Sequence, residues 1–374
     1  MADLKTTIQA MTADGAFRKL LVNPLSQFGR TGRMYLGATI LPERLVPNNK
    51  YTETMIKYRT VLANDATRYS PAQKKGNDIV GSMDVSLQEQ DIAAEYTSED
   101  YDAALAVANV NSMTGNVGNP DMGGVVAITN WFNTRVNLAL IEKIEKMRFE
   151  ALVSASIALS GDNGYTDTVT YPNPTGQRVA AAGSWIDNNY DPLQDLFERM
   201  TFAASKGYTI GRIIAGNPVI FALLNNTKVK AAVGGYVSVN SGGALTASQA
   251  RVSLQALNTY LNENSLPTIE PYNLQYRTQT GSGFFMPRNA MLLLATTERD
   301  VEIDLGDLEQ LPIRSVAGYV GVGRAAGQPN SGRAVDMQVF TKKPPRVEAE
   351  GWQTSLPVIT DPESVFVLSG ITTP

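Results

Sequence analysis

The 374-residue chain contains no cysteine and no histidine. The first absence removes disulfides, thiolate nucleophiles and thiolate-bound zinc. The second removes imidazole acid–base catalysis and the usual base of a serine triad. Any catalysis would have to rest on Asp, Glu, Lys, Ser or Tyr. Long apolar runs are also missing. Nothing approaches the twenty or so residues that a membrane-spanning helix needs. The first residues, MADLKTTIQAMTADGAF, hold no apolar core of a secretory signal.

What is present is an ordinary globular composition, 43% hydrophobic and 18% charged, in a chain long enough for a sizeable core. The net charge of −4 is unevenly spread. Residues 1–50 hold seven basic residues against Asp3, Asp14 and Glu43, a net +4, which leaves −8 for the remainder. A basic arm on an acidic body suits contact with protein, such as another copy, better than strong binding to DNA.

Residues 1–50, punctuated by Pro24, Pro42 and Pro47, read as an extended arm with a short helix near its start. Residues 51–97 read as a long hairpin, its two β-rich strands joined by the polar stretch SPAQKKGND, with too few large apolar residues for a core of its own. A helix is predicted from Ser98 to Asn111, opened by Ser-Glu-Asp. The longest helical signal runs from 124 to 160, where Ile128, Phe132, Val136, Leu140, Ile144 and Met147 keep a 3–4 spacing. At 1.5 Å per residue it would be roughly 50 Å long. A hairpin around YPNPTGQ follows. The next helix has Asp191 as N-cap, Pro192 at its first position and Gly207 at its stop. Tyr208–Gly216 reads as a strand. A helix capped by Asn217 comes after it, and another opens on a Thr246/Gln249 capping box. Further strands lie in TIEPYNLQYRTQ, AMLLLATT, DVEIDL, RAVDMQVFTKKPP and ESVFVLSGIT. No internal repeat is evident, and the order lacks βαβ regularity, so the fold class is α+β.

Three groups of residues invite a chemical reading. Asp300, Glu302 and Asp304 alternate with Val301, Ile303 and Leu305, which sets three carboxylates on one strand face. A calcium loop would need Gly where Leu305 stands, so a solvated or subunit-facing strand is the better account. GYVGVGRAAG carries one residue too many between its later glycines for a dinucleotide fingerprint, with no convincing helix after it. Asp187 and Asp191, near Trp185, are conceivable as a glycosidase-type pair, yet one sits in a turn and the other caps a helix.

Four stretches carry a resemblance. They are RYSPAQKKGNDIVGSMDVSLQEQDIAAEYTSEDYDAAL (68–105), the segment from Trp185 through Asp191-Pro192 to Asn217-Pro218, FFMPRNAMLLLATT (284–297), and WQTSLPVITDPESVFVLSG near the C-terminus. In this order and spacing the chain resembles the major capsid proteins of tailed phages, the Hong Kong 97 fold, in its lambda-like branch. The resemblance implies an N-terminal arm (1–50) and an extended β-hairpin loop (51–97). It implies a peripheral domain (98–185 and 325–374) carrying the spine helix 124–160, and an axial domain (186–324). Many copies would form pentamers and hexamers of an icosahedral head around the phage genome. Such a protein is a structural component and not an enzyme, without cofactor or metal. Its partners would be itself, a portal, a separate scaffolding protein and decoration proteins. It would enclose DNA without strong specific binding, with no membrane contact, and be assembled in the host cytoplasm. Assembly contacts are expected at Arg30, Arg33, Lys74, Lys75, Asp300, Glu302 and Asp304. Lys74 or Lys75 could also serve as donors for a Lys–Asn cross-link, a chemistry not expected of the lambda-like branch. The alternatives are an encapsulin-like nanocompartment shell, separable by whether particles hold DNA or a cargo enzyme, and a carboxylate-based hydrolase.

With no histidine, few side chains titrate between pH 5 and 8. Assembled particles should therefore keep their sedimentation profile across that range. Sharp dissociation near pH 6.5 would reveal a buried interface carboxyl with a raised pKa.

Overall fold

The computed structural model describes residues 35–57, 79–103, 106, 128–161, 164–241, 252–278, 281–296, 317–340 and 342–372. A short helix α1 (Gly37–Ile40) leads into β1 (Glu43–Leu45), β2 (Lys50–Lys57), β3 (Ile79–Ser86) and β4 (Gln88–Thr97). The spine is helical from 128, passes a π-type stretch at Asn133–Asn137, and continues as α2 (Leu138–Ser154). β5 (Ser156–Ser160), β6 (Thr166–Thr170) and β7 (Arg178–Ala180) follow, then α3 (Pro192–Ser205), β8 (Thr209–Ala215), α4 (Asn217–Asn225), α5 (Thr227–Ser241) and α6 (Leu254–Glu263). The remaining strands are β9 (Ile269–Pro271), β10 (Gln275–Arg277), β11 (Ser282–Phe284), β12 (Met291–Thr296), β13 (Gly318–Val322), β14 (Arg333–Phe340), β15 (Arg346–Ile359) and β16 (Val365–Ser369). Helices and mostly antiparallel sheets share the chain without βαβ order, an α+β fold.

Several boundaries differ from the sequence expectation, each for a local reason. The spine ends at Ser154 rather than 160, because Ala155 takes a left-handed conformation (φ 52°). Beyond it Ile157 and Leu159 are buried in alternation, a strand period, and β5 pairs antiparallel with β6. That hairpin is closed by Gly161 N donating to Tyr165 O, not at YPNPTGQ, and β7 instead runs parallel to β16. The second strand of the 51–97 hairpin is broken at Leu87. β2 and β3 pair with each other, while β4 leaves to pair with β15. Asn217 is the first residue of α4, with Gly216 as its N-cap. The cap of α6 is Ser253, whose Oγ accepts from Ala256 N; Thr246 and Gln249 lie outside the described residues.

The helix after Asp191 forms as expected. Asp191 Oδ1 accepts from Leu193 N at 3.0 Å, and Pro192 opens the first turn. Gly207 (φ 82°) closes the helix. Its N–H reaches Ala204 O and that of Tyr208 reaches Ala203 O, the paired bonds of a Schellman end. The helix predicted from Ser98 is present at 98–103, opened by reciprocal bonds between Thr97 and Asp100.

Two sheets organise the core. In the first, β15 is the central strand. β14 and β13 share one of its edges and β4 occupies the other, with β1 added to β13. The spine packs on one face of this sheet, where Phe132 and Val136 meet Ala349. The second sheet has the order β7-β16-β12-β8-β9 and is buried on both faces. Leu292, Leu294, Val365 and Val367 point into the core shared with the spine. Met291, Leu293, Phe366 and Leu368 point into a second core under α3–α6. Strict alternation lets one sheet serve two cores, so its strands are apolar on both sides.

Gly318, Gly321 and Gly323 of GYVGVGRAAG lie at the crowded join of β13 with β15 and the hairpin base. A Cβ on Gly318 would drive into Val358 O, a backbone atom, and one on Gly321 would stand 2.9 Å from Tyr51 Oη. Gly318→Ala should therefore lower unfolding stability by about 3 kcal/mol in urea titration. Gly281→Ala, facing open space, should stay within about 0.5 kcal/mol of the parent.

Candidate functional site

Residues 35–46 reach the spine through one buried ion pair. Leu140, Ile144 and Met147 hold the inward stripe of α2, which carries Glu145 and Arg148 into the core with them. Glu145 is fully buried, and Arg148 Nη1 lies 3.1 Å from its Oε2. Glu145 Oε1 accepts from Gly37 N at 2.8 Å and from the Tyr272 hydroxyl at 2.7 Å. Arg148 Nε donates to Leu41 O at 3.0 Å, and its Nη2 faces Glu43, which also pairs with Arg333. Burial, then the Glu145 charge, pushes the Tyr272 phenol far above its ordinary value, so it stays a donor. A Cβ at Gly37 would stand 2.5 Å from the carboxylate, so a larger residue there would push Glu145 off its bonded position.

The same segment supports the base of the β2–β3 hairpin. Tyr51 and Tyr319 hydroxyls lie 2.9 Å apart, and Tyr319 donates to Glu53 Oε2 at 2.8 Å. The Arg44 guanidinium sits over the Tyr319 ring at 5.0 Å. Both phenols are pushed up, chiefly by burial. Asn49 bonds Arg324 N and O through its side-chain amide, and Leu87 N donates to Asn49 O. Beyond this base, β2 and β3 pair with no other described strand.

The carboxylates considered for acid–base work are occupied structurally. Asp191 caps α3, and Asp187 Oδ1 accepts from Asn189 N at 2.9 Å. Asp195 is buried and accepts from Trp185 Nε1 (2.7 Å) and the Tyr190 hydroxyl. Trp185 is fully buried and offers no face to a sugar. Asn226, also buried, donates to the carbonyls of Trp185, Asp187 and Tyr190 while capping α5 through Lys228 N. This turn is a node joining three elements. An open cleft of about 670 Å³ lies beside it, lined by Phe197, Glu198, Phe202 and Tyr260 among others. Among the described residues, no three Asp or Glu side chains are grouped to hold a metal, and no helix is long and apolar enough to cross a membrane.

Arg30, Arg33, Lys74, Lys75, Asp300, Glu302 and Asp304 all lie outside the described residues. The residues that sequence reasoning missed are Glu145, Arg148, Tyr272, Tyr51 and Tyr319. The available signal was two opposite charges at i and i+3 on the apolar stripe of the spine.

No family model matches the chain, and no curated protein matches it. Solved structures do. A phage-related protein from Bordetella bronchiseptica RB50 is 12% identical, covers 94% of this chain and 97% of its own, and superposes with a TM-score of 0.49. The capsid of Myoviridae phage XM1 is 11% identical, covers 91% and 92%, and scores 0.47. An encapsulin complex from Synechococcus elongatus PCC 7942 is 10% identical, covers 92% and 90%, and scores 0.38. The phage XM1 capsid is of the kind the sequence resemblance named, and the encapsulin is of the kind its first alternative named. At these scores the likeness carries no further weight, and the functional reading stands on the chain's own geometry.

The Glu145–Arg148 pair generates a double-mutant prediction. Glu145→Gln leaves buried Arg148 only Glu43, which it shares with Arg333, and should cost about 3–5 kcal/mol. Glu145→Gln with Arg148→Met should cost clearly less than the two single losses summed, read by urea denaturation of all four proteins. Additive losses would mean that the two side chains act separately.

Proposed function

We propose that the chain is a shell-forming protein with the Hong Kong 97 capsid architecture, the major capsid protein of a tailed phage. The observation that carries this reading is the β2–β3 hairpin. It pairs with no other described strand and is held by hydrogen bonds at its base, around Tyr51, Tyr319 and Asn49. A two-stranded hairpin is marginal in water on its own. Open strand edges also invite pairing with other chains. Both features suit a subunit completed by its neighbours.

On this reading 51–97 is the extended loop. Residues 98–185 with 325–374 form the peripheral domain and 186–324 the axial domain. β16 reaches into the axial sheet and β13 returns to the peripheral one. Copies assemble as pentamers and hexamers into a head around the genome. Arg30, Arg33, Lys74, Lys75, Asp300, Glu302 and Asp304 contribute to contacts between copies. Portal, scaffolding and decoration proteins are the further partners, with assembly in the host cytoplasm. The function is structural rather than catalytic, and the large summed interface supplies its stability.

Negative-stain microscopy of the purified protein should show closed shells. Limited trypsin digestion should cut after Lys74 or Lys75 far more slowly in those shells than in dissociated subunits. A small oligomer under all conditions, or equal cleavage in both states, would overturn the reading.

A further inference from the structure

Helix α3 carries more apolar surface than the core beneath it uses. Leu196 and Ala203 face inward and are buried. Phe197 instead lines the open cleft of about 670 Å³ and is 39% exposed. Phe202 and Tyr260 line the same cleft but also pack against the second core, which Phe197 does not. A cleft of this size is in the range of small-ligand sites. A lone exposed aromatic is common on protein surfaces, so Phe197 by itself identifies nothing. The polar groups around it narrow the choice.

Those groups have spent their donors and kept their acceptors. Thr201 Oγ1 donates to Phe197 O at 2.9 Å, and Ser205 Oγ donates to Phe202 O at 2.7 Å. Gln194 Nε2 donates to Glu198 Oε1 at 3.0 Å. Asp191 Oδ1 accepts from Leu193 N as the helix cap. Asp191 Oδ2 and Glu198 Oε2 are left with no hydrogen bond or ion pair among the described residues, and both side chains line the cleft. Among the described residues no Lys or Arg lines it. Arg199 and Lys206, also from this helix and its end, are engaged with the Phe202 ring at 5.3 and 5.7 Å. The cleft is therefore apolar along its wall, anionic at its rim and short of donors.

The spacing of the two carboxylates sets the shape of a complementary ligand. Asp191 and Glu198 are two helical turns apart, so they share one side of α3 at a separation of about 10 Å. Leu193 and Phe197 lie between them along the helix and give the cleft its apolar wall. The inverse pattern is a chain with a cation at each end and methylenes between. Each ammonium brings three donors to a rim that has only acceptors left. The methylenes cover Phe197, whose ring face also attracts an ammonium. We propose that the cleft beside α3 binds linear aliphatic diamines and polyamines, with one ammonium at Glu198 and another at Asp191. The positive end of the helix dipole weakens the Asp191 end, so Glu198 holds the stronger of the two contacts. This binding is a property of the subunit and does not depend on shell assembly.

Isothermal titration of the full-length protein at low salt with a series of α,ω-diamines, from propane-diamine to decane-diamine, tests this. Affinity should peak at the members whose nitrogens lie about 10 Å apart, the spacing set by two helical turns. The best diamine should bind about fivefold tighter than the monoamine of equal length, and high salt should remove that advantage. The dicarboxylate of equal length should not bind. Asp191→Asn retains a capping oxygen and Glu198→Gln retains an acceptor for Gln194, so each removes charge with little change of shape. Either substitution should abolish the length optimum and bring the diamine to the level of the monoamine, with the melting temperature of the protein unchanged. Affinity that simply rises with chain length, that is equal for monoamine and diamine, or that survives both substitutions overturns the proposal, as does the absence of any binding at millimolar diamine. Each of these results leaves the shell reading standing. Where a substitution lowers the melting temperature, the length series on the parent protein decides by itself.

Discussion

The Glu145–Arg148 pair is the interaction on which the rest of the architecture depends. Two charges buried in a helix stripe are costly to desolvate, and they are tolerable only when every remaining donor and acceptor is satisfied. Here the satisfaction comes from distant parts of the chain: Gly37 and Leu41 from the arm side, Tyr272 from the loop after β9, and Glu43 linking on to Arg333 in β14. A hydrophobic pair at these positions would fill the same space without specifying which segment lies against it. The ion pair instead accepts one arrangement. Residues 37–41 approach so closely that a Cβ at 37 would displace the Glu145 carboxylate. β1 is thereby delivered to β13, and the hairpin that follows leaves from a fixed base.

The double-sided sheet performs the complementary task. Because β12, β8 and β16 are apolar on both faces, the spine-side core and the helical core share a wall of about one strand layer. Displacement of either core is felt by the other through side chains on adjacent residues, such as Leu292 and Leu293. The Trp185–Asp195–Asn226 node then fixes where the chain enters the helical core.

How much was legible in the sequence varied with the range of the signal. The α3 helix was readable because its determinants, Asp191, Pro192 and Gly207, lie within the helix or beside it. The spine was readable in its middle and not at its end. A left-handed Ala155 has no strong composition signal, and the strand period that replaces the helix is only five residues long. The break at Leu87 was invisible because β3 and β4 are both β-rich. What divides them is the choice of partner, which is a long-range fact. β15, the longest strand, mixes glutamates, a glycine and a proline, and its identity follows from having neighbours on both edges. The spacing of GYVGVGRAAG already argued against a nucleotide site, and Gly318, Gly321 and Gly323 are there because close backbone approach demands glycine whether the neighbour is a phosphate or another strand. At the candidate site the arm's positive charge was readable from composition. Glu145 and Arg148 were hidden by the expectation that a helix stripe is apolar.

The acidic face of β4, β15 and β14 was beyond sequence reading for a related reason. Glu95, Glu348 and Asp336 are far apart in the chain and become neighbours only through register. Once aligned, they reduce the stability of the isolated subunit. Those on the outer strands β4 and β14 deter pairing with a wrong strand.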